Sequence, residues 1–435
     1  MSLSEPPREP PIYRPFALLA FATTVLGGTP IGLWMLSWLY LGFSAVPIEW
    51  VLLHANLQIL GFFATLIPGV AQHLIARFTG RPVRRHPMSR WLLALLVSAL
   101  ALRGTGTAAG LPLLVLAAAL LQAAAFLLFA SWVWRALDPP PLGLLRRHLT
   151  LSTGWLALAC LVEAGLRAQV LAQGVAVPSM GGMRAVHLMA LFGGVIGWVL
   201  GVLLRAGPMF IPSWSVPARA ARLMTWLLAL GVVIGAAGEA GDWSPTVGIG
   251  LARLGELIAL GTVAAVFLMG GAWRSQGRRA LPMLARSGEE TRIFRLAVAS
   301  AGLAAVGAVL TAVAGWAGRP AHLLTDVVRH LVSVGFLASV VVAMTFRLIP
   351  VLELTALPWP RLRVMAFWAL AAGVVLRGAE VLVGGGVTWV APLVPLGGLL
   401  VWLGLASVAA TLAGAVARAV RQASAHAGGA PARQP

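Results

Sequence analysis

The sequence predicts an all-α, polytopic membrane domain of about twelve spanning helices, and three observations predict it. Hydrophobic residues fill 59% of the 435 positions and charged residues only 10%, against roughly 25% charged in an ordinary soluble domain. The apolar residues fall in long runs, most of them near the roughly 20 residues a helix needs to cross the hydrocarbon core. The arginines between those runs alternate between dense and sparse loops. A soluble globule must present a polar exterior, and too little polar surface is available here to make one.

Runs bounded by loop signals give spans near 17–42, 50–76, 89–103, 110–135, 150–173, 184–205, 222–239, 248–272, 294–316, 322–348, 363–384 and 389–418. They make one transmembrane domain over residues 1–420. The Ser/Ala/Gly/Pro-rich tail at 421–435 reads as a disordered cytoplasmic segment. The first run is long and lacks a small-residue cleavage site followed by a soluble domain, so no cleaved signal peptide is expected. The single cysteine, Cys160, lies inside a run and excludes an intrachain disulfide.

Every basic residue is arginine, and the net charge is +19. These arginines sit in short loops and build no basic domain, which argues against a nucleic-acid partner. Placing the N-terminus in the cytoplasm puts 25 of them on that side. Seven remain at the other end: Arg103, Arg167, Arg184, Arg253, Arg319, Arg329 and Arg377. That asymmetry is the positive-inside signature of a bacterial inner-membrane protein with an even number of spans and both termini cytoplasmic.

Three stretches resemble one another. His54-Ala-Asn-Leu-Gln-Ile-Leu-Gly61 runs on to His73, His187-Leu-Met-Ala-Leu-Phe-Gly-Gly194 to Arg205, and His330-Leu-Val-Ser-Val-Gly335 to Arg347. The leading histidines are 133 and 143 residues apart, which fits a unit of four helices used three times, about 17–135, 150–272 and 294–418. Spans 3, 7 and 11 echo the repeat by ending on Arg103, Glu239 and Arg377.

Topology sorts the eight histidines. His86 and His148 fall in cytoplasmic loops and His426 in the tail, all read as solvent-exposed, while His73 lies near the inner end of span 2. His54, His187 and His330 each lie one to two turns inside the outer end, with His322 just above His330. One histidine at membrane depth is ordinarily a hydrogen-bonded packing residue; three on repeat-related helices favour ligands of a shared haem or metal. His54, His187, His330 and His322 are therefore the candidate ligands. Asp326, four residues before His330, and Gln58, four after His54, are candidates to orient the rings. Asp326 reads equally as a helix-start carboxylate. Glu163/Arg167, Arg253/Glu256 and Arg377/Glu380 have the spacing of intrahelical ion pairs, the reading favoured for Glu163/Arg167. A sharper reading makes Arg103 and Arg377 cofactor-binding, as partners of haem propionates.

Tyr13-Arg-Pro-Phe16, the His54-Ala-x-Leu-Gln helix and the two His-Leu-x-x-x-x-Gly helices closing in arginine resemble the NnrS family. These are polytopic haem- and copper-containing membrane proteins of bacterial nitric oxide metabolism. A more distant likeness is to subunit I of haem–copper oxidases and nitric oxide reductases, with twelve helices in three four-helix arcs. That likeness aligns His54 and His330 with haem ligands and His187 with a copper ligand. Span 7 has no histidine, and Asn56 stands where the family commonly carries a second one, so a full binuclear centre is not expected.

The resemblance implies haem b, with copper as a candidate second metal, and a role in binding or turning over nitric oxide or a related small redox ligand. Quinol or a periplasmic protein would be the electron donor. Whether the chain is an enzyme stays open. A secondary transporter and a cofactor-free membrane assembly subunit are the alternatives.

The charge asymmetry generates a topological prediction. A cysteine at position 242 should react with a membrane-impermeant thiol reagent in intact cells, and one at position 84 should not; the reverse pattern overturns the orientation.

Overall fold

The computed structural model describes residues 11–81, 87–138, 142–211, 214–271, 289–317 and 321–428. Twelve helices are long and apolar enough to span a membrane: α1 Tyr13–Leu41, α2 Ile48–Thr79, α3 Pro87–Ala108, α4 Pro112–Ala136, α5 Gly143–Gln173, α6 Met180–Ala206, α7 Ala218–Ala240, α8 Pro245–Met269, α9 Glu289–Trp316, α10 His322–Glu353, α11 Pro360–Gly384 and α12 Thr388–Ala425. The described residues contain no strand. Each span expected from the sequence overlaps one of these helices, and the short third span extends to a full-length α3. The last helix runs on to Gly428, so residues 421–428, expected to be disordered, are helical. His86 lies outside the described residues, and of the His426 side chain nothing is described.

Each helix packs against its successor, and α12 returns to α1, closing a ring. Three helices stand inside it. In a representative 18-residue stretch, 72% of α2, 89% of α6 and 67% of α10 is buried, against 33–50% in the other nine. The inner helices are thus the second of each expected four-helix unit. Their neighbours can be apolar outside because lipid covers them.

The inner helices share a local device. Within three residues after His54, His187 and His330, α2, α6 and α10 widen from α- to π-helix, at Leu57–Ala64, Met189–Ile196 and Leu331–Ala338. A π segment carries an extra residue per turn and rotates whatever follows it. Glycines in these segments let the inner helix approach the preceding outer one. A Cβ on Gly61 would meet Thr23 of α1, on Gly194 Leu156 of α5, and on Gly335 Ser300 of α9. Where α2 and α10 resume α-helix, Thr65 and Ser339 donate back five residues, to the carbonyls of Leu60 (2.8 Å) and Val334 (3.4 Å).

α1 carries a fourth π segment, Thr24–Gly28. There the carbonyl of Val25 would take its hydrogen bond from residue 30, which is proline and has no N–H. Trp402 of α12 supplies the donor instead, Nε1–H to Val25 O at 2.9 Å. One sequence feature, Pro30, thus calls for a ring-closing contact.

At the terminal end, Tyr13 and Arg14 both bond to Glu353, whose side chain is fully buried (Arg14 Nε–Oε1 2.9 Å). The Tyr13-Arg14 pair at the head of α1 therefore clamps the tail of α10.

His148, expected in a solvent-exposed loop, is 1% exposed within α5. Its Nε2–H donates to Gly197 O of α6 at 2.7 Å, and Nδ1 accepts from Thr225 Oγ1 of α7 at 2.9 Å. The expected loop was wrong because α5 begins at Gly143, seven residues before the apolar run that the sequence advertises. His148→Ala should accordingly destabilise the protein by about 1–3 kcal/mol, read as a lowered unfolding midpoint in detergent; an unchanged midpoint refutes the tie.

Candidate functional site

The three repeat histidines are the seventh, eighth and ninth residues of α2, α6 and α10, at the end of the bundle away from the chain termini. Common depth does not make them one cluster. Among the described residues no group of three or more His, Cys, Asp and Glu side chains could hold a metal ion. The structure instead distributes charged groups over three polar clusters at this end, each bridging two of the expected four-helix units.

The first joins α1, α2, α10 and α11. His54 Nδ1 lies 2.7 Å from Gly28 O on α1. The ring fits there because residue 32 is glycine; a Cβ would stand 2.6 Å from His54 Cε1. His330 Nδ1 lies 2.8 Å from the backbone carbonyl of Asp326. The Asp326 carboxylate bonds to Arg377 and stands 3.4 Å from the same ring nitrogen. Arg377 also pairs with Glu380 at 2.8 Å, and Tyr40 of α1 donates to Glu380 at 2.9 Å. His54 senses the charges of Asp326 and Arg377 and acts electrostatically on both His330 and His187.

The first of these contacts fixes a tautomer. A carbonyl oxygen only accepts, so His54 must carry the proton on Nδ1, which leaves Nε2 its lone pair, the form in which imidazole binds a metal. At His330 the guanidinium of Arg377 stands 3.1 Å from Nδ1 and 3.5 Å from Nε2, so the lone pair of that ring faces a donor whichever nitrogen holds it. The contact of Asp326 with His330 Nδ1 is through its backbone carbonyl, while its carboxylate bonds Arg377. Gln58 does not orient His54: it bonds to Thr24 (2.8 Å) and Thr29 (3.0 Å) of α1, because Gly28 O already occupies the ring nitrogen.

The second cluster joins α2 to α6. Arg103 of α3, 2% exposed, pairs with fully buried Glu163 of α5 and donates to Gln122 of α4 at 2.7 Å. Asn56 of α2 reaches Glu163 at 3.4 Å. Arg167 bonds Glu49 of α2 at 2.9 Å and stands 3.8 Å from Glu163. The main partner of Glu163 is therefore Arg103 across the helices, not Arg167 on its own. Arg103 also spends both terminal nitrogens on these partners, which leaves neither for a propionate. His187 Nε2 is buried without a hydrogen-bond partner.

The third joins α6, α7, α8 and α10. Arg253 and Glu256 form the expected intrahelical pair, while Arg184 and Arg329 converge on Glu239, Arg329 reaching Glu256 as well. His322 lines the adjoining basin beside Arg184, Arg253 and Arg329, not the His54–His330 region. Glu49, Gln122 and Glu353 are polar residues the sequence reading passed over. Their single-residue signals, a lone Glu or Gln in an apolar run, did not distinguish them.

Removing one member of the Arg103–Glu163 pair strands a buried charge. Glu163→Ala should destabilise by about 3–5 kcal/mol, and combining it with Arg103→Met should recover most of that. Unfolding midpoints of the single and double variants decide; a double variant as unstable as the single one contradicts the pairing.

Neither a known protein-family profile nor a curated protein sequence matches the chain. Among solved structures it is similar to a chain of a haem–copper terminal oxidase dimer determined by cryo-electron microscopy. The TM-score is 0.66 at 14% identity, over 93% of this chain and 84% of the other. At that identity the likeness is one of fold: this chain shares the architecture of a haem–copper terminal oxidase chain.

Proposed function

We propose that the protein is a membrane haem b protein, in which His54 and His330 would hold the haem and which binds nitric oxide or a related small redox ligand. The observation that carries this reading is the pair of imidazoles at one depth on two inner helices, each with Nδ1 against a backbone carbonyl, and with His54 left an Nε2 lone pair. The donor set fits haem, which asks for one or two imidazoles. It fits copper less well, since the described residues gather no set of three ligands. The oxidase fold and the resemblance to the NnrS family support the same reading.

In this arrangement the residues have separable tasks. Gly28 O holds His54 in orientation and tautomer, and Asp326 O stands against Nδ1 of His330. Arg377, bonded to Asp326 and paired with Glu380, stands 3.1 Å from His330 Nδ1 and fixes the polar side of that ring. His187, electrostatically coupled to His54 but with no orienting bond to a carbonyl, is available to a ligand bound nearby. Bound haem would supply the iron that takes the electron and the diatomic molecule; the protein supplies position and charge. The bilayer is the solvent, and quinol or a protein at the outer surface is the donor class.

The purified protein should show a Soret band and yield haem b by pyridine extraction. His54→Ala and His330→Ala should each weaken haem retention by at least about tenfold, whereas His187→Ala should leave the haem spectrum intact and alter its response to nitric oxide. A colourless, folded and active preparation overturns the proposal. Loss of haem in His187→Ala with a silent His54→Ala moves the site to α6 and α10.

A further inference from the structure

A basin of about 1060 Å³, counted to its open mouth, lies between the α7–α8 corner and the starts of α6 and α10. Three arginines line it, Arg184 of α6, Arg253 of α8 and Arg329 of α10, against a single lining carboxylate, Glu239. Glu256 stands behind and takes Arg253 Nη1 at 2.5 Å. Arg184 meets Glu239 through Nε, also at 2.5 Å, and its terminal nitrogens keep their protons. Arg329 lies 3.7 Å from each carboxylate, beyond hydrogen-bond reach. Among the described residues its guanidinium makes no hydrogen bond at all. Asp242 is exposed at the α7–α8 corner and does not line the basin. Three positive charges therefore face two negative ones, with guanidinium N–H groups left over. Helix ends add to this excess. Ser244 and Pro245 open α8, His322 and Thr325 lie in the first turn of α10, and all four line the basin. Neither helix has a side-chain cap, so the positive ends of two long dipoles border the same space.

We propose that this basin binds a phosphate group, carried by a free anion or by the head of an anionic phospholipid, between Arg184, Arg253 and Arg329. Guanidinium forks and uncapped helix N-termini both complement oxyanions, and phosphate, with more oxygens than a carboxylate, engages more of these donors. Arg329 is the principal contact, since it has no hydrogen bond to give up. Arg184 and Arg253 add the terminal nitrogens that their carboxylates leave free. Glu239 repels the anion and so lowers the affinity. The rim suits either source of the phosphate. Trp243 and Ile249, each 49% exposed, stand at the mouth, and Trp243 is pinned there by its Nε1–H to Ala237 O at 2.8 Å. Tryptophan at the end of a span marks the headgroup layer, where lipid phosphates and water meet. This site goes beyond the haem reading and does not rest on it.

The full-length protein, purified in a neutral detergent and phosphate-free buffer, tests this in two arms. Equilibrium dialysis against radiolabelled orthophosphate at constant ionic strength reads the free anion. Native mass spectrometry reads phosphatidylglycerol retained from, or added back to, the purified protein. Saturable binding in the first arm identifies a soluble phosphate, and retention in the second alone identifies a lipid headgroup. Arg329→Gln should weaken whichever is bound by at least about tenfold. It should leave helix content and the unfolding midpoint unchanged, because that side chain is 41% exposed and bonds to nothing. Glu239→Gln removes the repelling charge and should tighten binding by about threefold or more. A merely structural role for this carboxylate gives weaker binding instead, so this variant decides the matter even where Arg329→Gln fails to fold. No binding in either arm overturns the proposal, as does binding that Arg329→Gln leaves unchanged or Glu239→Gln weakens. Neither arm reads haem, so a failure of the haem reading shows itself separately.

Discussion

Ionised groups that sit between apolar helices must be neutralised by one another, and that constraint organises the functional end of this bundle. Seven arginines lie there by sequence, and so do seven carboxylates: Glu49, Glu163, Glu239, Asp242, Glu256, Asp326 and Glu380. This end is therefore neutral, and the whole net charge of +19 belongs to the other. All six of its arginines among the described residues have a carboxylate partner. Most of these pairs cross between helices: α3 to α5, α5 to α2, α7 to α6, α10 to α11. Where the arginine is buried, as at Arg103, Arg167 and Arg377, the pair must form, since an unpaired charge at this depth costs several kcal/mol, so these pairs staple the arcs around the inner helices. The other end faces polar surroundings in the proposed orientation and can carry its arginines unpaired.

Where the staples fix the arcs, the π segments fix the histidines. In α2, α6 and α10 the widened turns begin just below the ring and press glycine against the preceding helix. The same construction appears three times, on the second helix of each four-helix unit expected from the sequence. The charge echo at the ends of α3, α7 and α11 acquires a meaning too. Arg103, Glu239 and Arg377 each anchor one of the three clusters.

The spans, their number and the special status of the second, sixth and tenth were legible because apolar run length and loop arginine density are direct consequences of the bilayer. The Arg253–Glu256 pair was legible from spacing. Arg103–Glu163 was not, because its partners lie 60 positions apart and only the helix packing brings them together. Gln58 had the right spacing to hold His54, yet a backbone carbonyl that the π turn of α1 places nearby took the ring. No side-chain pattern advertises a carbonyl. His148 was misplaced for a related reason: hydropathy marks the apolar part of a helix, while α5 continues seven residues beyond it.

Four of the buried or half-buried histidines on these helices thus have four different surroundings, and depth alone does not separate them. His148 has both nitrogens bound to protein, which makes it a packing residue. His54 gives one proton to a carbonyl and keeps one lone pair, while His330 sits between the Asp326 carbonyl and the Arg377 guanidinium. His187 has a nitrogen that is buried and bound to nothing. What an imidazole can do follows from which of its two nitrogens is already spoken for. In this fold that is settled by carbonyls and hydroxyls of adjoining helices, so the chemistry of each histidine is written in its neighbours.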